Sequence, residues 1–371
     1  MQNIIILLLL SLPVSLYAAE TTLPDTGISG VYEVMVGTDD AEAQLAYFAE
    51  FGFTVKQKAE LSAKQAQKIY GVKSALTSIR LQNGEIDSHG LLRILQWQQP
   101  LGDGVGYAPP ETIGQRMAVM RTLDIFRIHD VFLDLRHKAG EPWLSTPPVF
   151  DDLYGLDEGE ISIQKRRVGV RENAVYGQDF NHVFFQRYGY TIPGYGSINK
   201  NAPLQTSEFT HHDFIVNGDL AVITDHYATV LGLKPENDPV IDGDWQKGPQ
   251  QVFQMPLGTS HWYRGFVSPN NICGKLKFFS ALDPGTARDR STAQRIGAKG
   301  ITLHSLYTTK LKYVHKLARQ HGLRPSSITQ NEFGETSFLF TGPDGVSWQI
   351  LQAPQPKNRP RTVFNLESSN N

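Results

Sequence analysis

The sequence predicts an α+β protein built from a repeated unit: one strand, one helix, then several strands. Three observations predict it. Stretches of alternating apolar residues are followed at several places by an acidic helix start and an apolar helical run that stops at glycine. The closing segments also match, Leu92-Arg93-Ile94-Leu95-Gln96 near one end and Trp348-Gln349-Ile350-Leu351-Gln352 near the other. Finally, 371 residues with 40% hydrophobic and 19% charged content suit a globular chain of two or more domains.

The units follow in order. In Gly30–Phe53, Val31, Glu33 and Met35 alternate as in a strand, Asp39-Asp40 starts a helix, and Phe51-Gly52-Phe53 ends it. Thr210–Leu233 repeats this plan, with His212 to Val216 as the strand and Asp219-Leu220 as the helix start. Ile301–Leu323 gives it again, from Thr302-Leu303-His304 to His321-Gly322-Leu323. Glycine just past each helix suits a left-handed C-terminal cap. A further copy is expected over Asp124–Phe185, with a strand at Asp124 to Ile128, a short helix from Asp134 to Gly140 and a closing strand at His182 to Phe185. Gly/Pro/Tyr-rich stretches interrupt the units at Pro100–Pro110 and at Tyr188–Pro203, the latter read as the link between halves.

The ends have their own character. Residues Ile4 to Leu10 are uninterrupted apolar residues, and the run continues with breaks to Ala19. It falls short of the roughly 20 residues that span a bilayer. It has the length of a signal-peptide core, and Leu16-Tyr17-Ala18 offers a small residue for cleavage, so residues 1–19 are expected to be a signal peptide and 20–28 a mature N-terminal segment. An uncleaved N-terminal anchor is the alternative. The expected location is secreted or periplasmic, with no stable membrane span after cleavage. Residues 354–371 form a polar tail. Lys+Arg 35 against Asp+Glu 37 leaves no basic surplus for neutralising phosphates, which argues against nucleic-acid binding. The single cysteine, Cys273, excludes an intrachain disulfide and reads as a small buried apolar residue. Gly-rich phosphate loops and serine-nucleophile motifs are absent from the sequence.

The pattern resembles the vicinal oxygen chelate superfamily, the glyoxalase / bleomycin-resistance / extradiol-dioxygenase group, over almost all of 30–353. The motif that carries it best is His212 to Leu233: a His on the first strand, Asp-Leu at the helix start, a mid-helix Tyr227, then Val-Leu-Gly. The second is Gly342-Pro343-Asp344-Gly345 leading to Trp348-Gln349, similar to the turn and closing strand that carry a metal-binding Glu in the family. The resemblance implies a glyoxalase-like fold of four βαβββ modules paired into incomplete barrels. It implies an N-terminal pair at 29–200, metal-free, and a C-terminal pair at 201–353 carrying the site.

Carried over residue by residue, His212 and His304 take the two first-strand metal positions and Gln349 the closing-strand position where Glu is usual. Two imidazoles and an oxygen donor would suit a divalent metal such as Fe, Mn, Zn or Ni. Gln349 has a second reading, as an inward polar residue hydrogen-bonded in the cavity. Either His211 or His212 faces the cavity, and the ungapped match favours His212. In the N-terminal pair, Glu33, Arg93 and Arg127 fall at the corresponding positions and read as a salt-bridged interior. His226 and His315 lie in helices and are expected to face solvent. His261, on a later strand of the third module, matches the acid/base or oxygen-orienting His of ring-cleaving dioxygenases, and its alternative is a rim histidine.

Ring cleavage in that family also needs a His and a Tyr shortly before the closing turn. This chain has neither residue type after His321. The expected function is therefore a divalent-metal-dependent lyase, isomerase or atypical oxygenase acting on a small oxygenated substrate. The alternative is a metal-free small-molecule-binding protein of the same fold, suggested by Gln349, Arg93 and the aromatics Phe338, Phe340 and Trp348.

Overall fold

A computed structural model of the chain describes residues 22–140, 142–151, 156–157, 166–236, 240–241, 251–254, 261–269, 274–281 and 288–354. The N-terminal apolar run, Cys273 and the tail beyond 354 lie outside the described residues. No helix among the described residues is long and apolar enough to cross a membrane.

The first unit comprises β1 (Ile28–Thr38), α1 (Ala41–Glu50), β2 (Phe53–Leu61), α2 (Ala63–Tyr70), β3 (Leu76–Asn83) and β4 (Leu91–Trp97). Asp40 caps α1 by accepting from the Ala43 amide at 3.0 Å. Ser62 and Gln65 form a reciprocal capping box on α2. The second unit comprises β5 (Arg116–Thr122), α3 (Ile125–Asp134), β6 (Gly169–Tyr176) and β7 (Asn181–Tyr188). The third comprises β8 (Thr206–Ile215), α4 (Leu220–Ile223), α5 (Asp225–Thr229), β9 (His261–Val267) and β10 (Lys275–Ala281). The fourth comprises β11 (Gly300–Thr308), α6 (Leu311–Gln320), β12 (Thr336–Thr341) and β13 (Ser347–Gln352).

The second unit starts earlier than its sequence suggests. Residues 124–128 open a helix where a strand was expected. The Asp124 side chain accepts from the Phe126 and Arg127 amides, and Ile125, Ile128 and Phe132 recur at helical spacing on the buried face. Arg127 is therefore an exposed helical residue away from any first strand.

Two large curled sheets carry the units. In the first, the strand order is Thr329–Gln330, β12, β13, β11, β1, β4, β3, β2. In the second, it is Lys234–Pro235, β9, β10, β8, β5, β7, β6, Leu144–Ser145, with short strands added at the edges. The seam of each sheet is an antiparallel pair of first strands, β1 with β11 and β5 with β8. The outer units thus pair with each other, and so do the inner units. The sequence expectation of residues 29–200 against 201–353 as the two pairs is corrected on this point. Patterns inside a unit specify its own strands and say nothing about which other unit closes its open edge.

The two sheets meet across shared cores. One joins Phe48, Phe51 and Phe53 of the first unit to Ile125, Phe132 and Phe184 of the second. The other joins Phe214, Tyr227 and Phe278 of the third to Val314, Phe338 and Trp348 of the fourth. Arg116 of β5 ties the sheets together, donating to the carbonyls of Ile301 (3.2 Å), Gln294 (3.0 Å) and Gly345 (2.9 Å). Gly90 is required at its position. It has φ +66° and lies against β8, where a Cβ would come within 2.3 Å of the Phe209 carbonyl oxygen.

The concave face of the first sheet is filled. Helix α2 covers part of it, with Ala66 and Tyr70 packed on Met35, Leu95, Trp97 and Leu303. The rest holds a buried ionic network. Arg93 and Arg80 both pair with Glu33, Arg93 also reaches Glu332 at 3.2 Å, and Arg80 binds Glu335 with two hydrogen bonds of 3.1 and 2.8 Å. Tyr70 and Ser78 each donate to Glu332 at 2.6 Å, and Ser305 donates to Glu33 at 3.0 Å. Phe333 lies over both guanidinium groups, 4.3 and 5.1 Å from ring centre to carbon. Burial opposes the charge of Glu33, but Arg93 and Arg80 outweigh it and hold its carboxyl below the usual range. This matches the salt-bridged interior read from Glu33 and Arg93. Glu33→Ala leaves two buried guanidinium groups short of a partner, a change expected to cost about 3–5 kcal/mol. Urea unfolding of the variant beside wild type measures it, and a loss under about 1 kcal/mol would show that the network contributes little.

Candidate functional site

The concave face of the second sheet is open. It holds a cavity of about 320 Å³ between β5–β10 and the segment at Val252-Phe253. Strand alternation builds its lining. On β8, His211 and Asp213 point into the cavity, and on β10, Lys275, Lys277 and Phe279 do so. Glu172 on β6, Val183 and Phe185 on β7, and Tyr263 on β9 complete the floor and walls. Register aligns the polar groups: His211 lies beside Lys275 and Asp213 beside Lys277 on neighbouring parallel strands. Lys275 is held by Glu236 at 2.5 Å, and Tyr263 donates to Glu236 at 3.3 Å. The Lys277 ammonium lies 5.6 Å from the centre of the Phe185 ring.

This geometry shifts the acid–base properties of the lining. Burial pushes the Glu172 carboxyl up to about 8, only partly offset by Lys277. Burial likewise raises Asp213 to about 6, again against Lys277. At neutral pH Glu172 is mostly protonated and Asp213 mostly ionised. Burial opposes the Lys277 charge, but Tyr263, Asp213, Glu172 and Glu236 outweigh it and hold the ammonium above its ordinary range. Burial, Lys277, Lys275 and Arg187 together push His211 well below its ordinary value, so its ring is neutral. Its tautomer follows from its neighbours. Tyr195 donates its hydroxyl hydrogen to the Thr210 carbonyl at 2.6 Å, and Thr210 donates its own to the Val119 carbonyl at 3.2 Å. Both oxygens also lie beside His211 Nδ1, at 3.1 and 2.9 Å, so Nδ1 carries the hydrogen and Nε2 keeps its lone pair.

The residues predicted from sequence fall elsewhere. His212 and His304 do come together, with ring centres 5.0 Å apart, but they lie between the two sheets among Phe209, Phe214 and Trp348. Both are fully buried, and among the described residues none of their four ring nitrogens has a hydrogen-bond partner. It is His211 that faces a cavity, which corrects the preference for His212. Gln349 is on the opposite face of its sheet from His304. In the β11–β13 ladder, His304 pairs with Trp348 and Ser305 with Gln349, so His304 and Gln349 are one residue out of phase. Gln349 accepts from Arg93 at 3.0 Å and donates to Ser337 at 3.2 Å, as its hydrogen-bonded reading has it. His261 begins β9, and its side chain lies outside the described residues. His226 is buried against Tyr227 and Phe340 instead of facing solvent, and His315 is half-buried with Nε2 3.0 Å from the Ser326 carbonyl.

A second cavity of about 570 Å³ lies between the sheets near Gln115, Arg116, Asp289 and Asp344. Its buried cation, Arg116, is already committed to three carbonyls, so the smaller cavity has the richer chemistry.

With the geometry in hand, solved structures can be compared. A glyoxalase I mutant from Zea mays superposes with a TM-score of 0.50 at 11% identity, over 87% of this chain and 93% of its own. A putative dioxygenase from Bacillus subtilis subsp. subtilis str. 168 gives a TM-score of 0.52 at 10% identity, over 89% and 87% of the two chains. This chain has the vicinal oxygen chelate fold. No protein-family model and no curated protein matches its sequence. The fold's implied metal can be tested against the residues present. Among the described residues no group of three His, Cys, Asp or Glu side chains is placed to hold an ion. Each concave face instead carries a cation beside its seam, Arg93 in the first sheet and Lys277 in the second. The described residues therefore do not fit a divalent metal on either concave face.

The sequence carries a signal for the cavity lining. Lys275 and Lys277 alternate with Leu276 and Phe278, which puts two cations on one face of a strand. What no local pattern gives is the strand that faces them.

The buried histidines predict a pH response. Burial lowers His212 to about 3 and His226 to about 4, and holds His182 and His304 well below 6.5. Below pH 6.5 the unfolded chain binds protons that the folded chain refuses, so this contribution to stability is lost as pH falls from 6.5 toward 4. The limiting slope is about 1.4 kcal/mol per pH unit for each histidine. Asp213 and Asp344, both raised to about 6, act in the opposite sense, so a variant isolates the effect. His304→Leu is expected to flatten the urea-derived stability profile between pH 6.5 and 4.5 by about one proton. An unchanged slope would contradict the neutral buried state of His304.

Proposed function

We propose that this protein binds a small molecule, independently of metal, in the cavity of the second sheet. The observation that carries this reading is the asymmetry of the two concave faces. One is filled by α2 and the Arg93–Glu33 network, and the other is an open cavity walled by Phe185, Phe253, Phe279 and Tyr263 with a few convergent polar groups. A volume of about 320 Å³ is at the lower end of the range for small-ligand sites. The metal-dependent lyase, isomerase or oxygenase reading needs His212, His304 and Gln349 on one face, and strand phase separates them. It finds its replacement in ligand recognition by Lys277, His211, Asp213 and Glu172.

The test is a thermal-shift screen of small aromatic and oxygenated compounds on the purified protein, with and without EDTA. A native-state ligand raises the melting temperature by mass action. The expected result is a shift that EDTA leaves unchanged and that Val183→Phe, which fills the cavity, removes. A shift that vanishes with EDTA and returns with Fe, Mn, Zn or Ni would sink the proposal and restore the metal-dependent reading.

A further inference from the structure

We infer that the second-sheet cavity is a carboxylate site: it takes a small aromatic carboxylic acid, the carboxylate on the Lys277 ammonium and the ring among Phe185, Phe279 and Tyr263. The inference rests on the cavity being a ligand site, as proposed above, and adds the chemical class.

Three cations line the cavity, and two are already engaged. Lys275 is paired with Glu236 at 2.5 Å. Arg187 donates to the Tyr195 carbonyl at 2.9 Å and lies over the rings of Tyr190 and Tyr195. Lys277 differs. Among the described residues it makes no hydrogen bond and no ion pair within 4.0 Å, and its contact is the face of Phe185. Lys277 is half-buried, and its ammonium has three hydrogens that no described side chain accepts. A carboxylate supplies two acceptor oxygens, and its charge is opposite.

The groups around Lys277 come from each neighbouring strand. Asp213 is beside it on β8, with Oδ1 lacking any partner, Glu172 approaches from β6, and Tyr263 and Glu236 flank it. Glu172 carries its proton at neutral pH, so it presents a hydroxyl donor to an incoming carboxylate and not a competing charge. Asp213 is the repulsive neighbour on the adjoining strand, and its carboxyl already sits near 6; of the other acidic groups in the lining, Glu236 is paired with Lys275 and Asp151 lies beside Val170. A ligand carboxylate next to Asp213 raises it further, so binding near neutral pH takes up a proton. At the far end His211 is held neutral, by burial first and then by the same three cations. An amine would bring a fourth cation into a lining that already holds Lys275, Lys277 and Arg187. The aromatic walls accept a flat ring, and the cavity is sized for one ring and its head group.

Isothermal titration calorimetry at pH 6.5 tests this on the purified full chain, with sodium benzoate, benzamide and benzylamine as probes of one shape and three charges. Benzoate is expected to bind at least tenfold more tightly than either of the others. Lys277→Met is expected to lose at least tenfold for benzoate while benzamide changes by less than twofold. Lys277→Arg keeps most of the benzoate affinity and guards against a folding defect, which circular dichroism also checks. Benzoate binding run in two buffers of different ionisation enthalpy should show net proton uptake. Equal affinity for benzamide, tighter binding of benzylamine, or unchanged benzoate binding in Lys277→Met would each overturn the carboxylate assignment. If benzamide or benzylamine binds and Val183→Phe abolishes it, the cavity reading stands and the carboxylate inference alone falls. If none of the three binds, the inference also falls, and the wider thermal-shift screen decides the cavity.

Discussion

Each unit of this chain leaves the inner edge of its first strand open, and the rest of the molecule depends on how those edges close. An open edge exposes a row of unpaired amides and carbonyls, which is unstable in water and prone to wrong pairing. Here β1 closes on β11 and β5 on β8, both antiparallel. These two seams set everything downstream. They curl eight or more strands into each sheet, place α1, α3, α5 and α6 in the cores shared by the sheets, and decide which side chains share a concave face.

From two similar frames the side chains make two different interiors. In the first sheet, Arg93 and Glu33 meet across β1 and β4, and Glu332 and Glu335 close over them from the loop before β12. Such a network tolerates burial because every charge has a partner. It fills the face beside the β1–β11 seam. In the second sheet, Asp213 and Lys277 sit side by side on β8 and β10, and the Val252-Phe253 segment lies across part of the face. The charges there are less completely paired and open to a cavity. Perturbed acid–base groups gathered in a concave, aromatic-walled space are the usual mark of a functional site. The shared fold does not impose a shared chemistry on the two halves.

The buried His212–His304 pair shows the same rule from the other side. These residues sit where the two sheets pack, beside Phe214 and Trp348, with all four ring nitrogens unpartnered among the described residues. Neutral imidazoles there act as aromatic packing units, and they make the sheet–sheet contact sensitive to acid.

The sequence by itself determined the α+β class, the four units, the glycine-terminated helices and the closing strands at Leu92–Gln96 and Trp348–Gln352. These are local features, set by side-chain period, caps and turn residues within a few positions of each other. It also placed Glu33 and Arg93 in a salt-bridged interior. It misread residues 124–128, because a short amphipathic helix with Phe and Ile looks like a strand until its N-cap at Asp124 is recognised. Tertiary structure alone decided that outer units pair with outer and inner with inner, since edge closure is a contact between segments some 270 residues apart for the outer units and some 95 for the inner. It alone decided the site as well. Phase along a strand sends neighbours to opposite faces, so His211 faces the cavity while His212 packs between sheets, and Gln349 joins Arg93 while His304 joins Trp348. A one-residue difference in phase cannot be resolved by a motif match, because only the packed partners show which face is which.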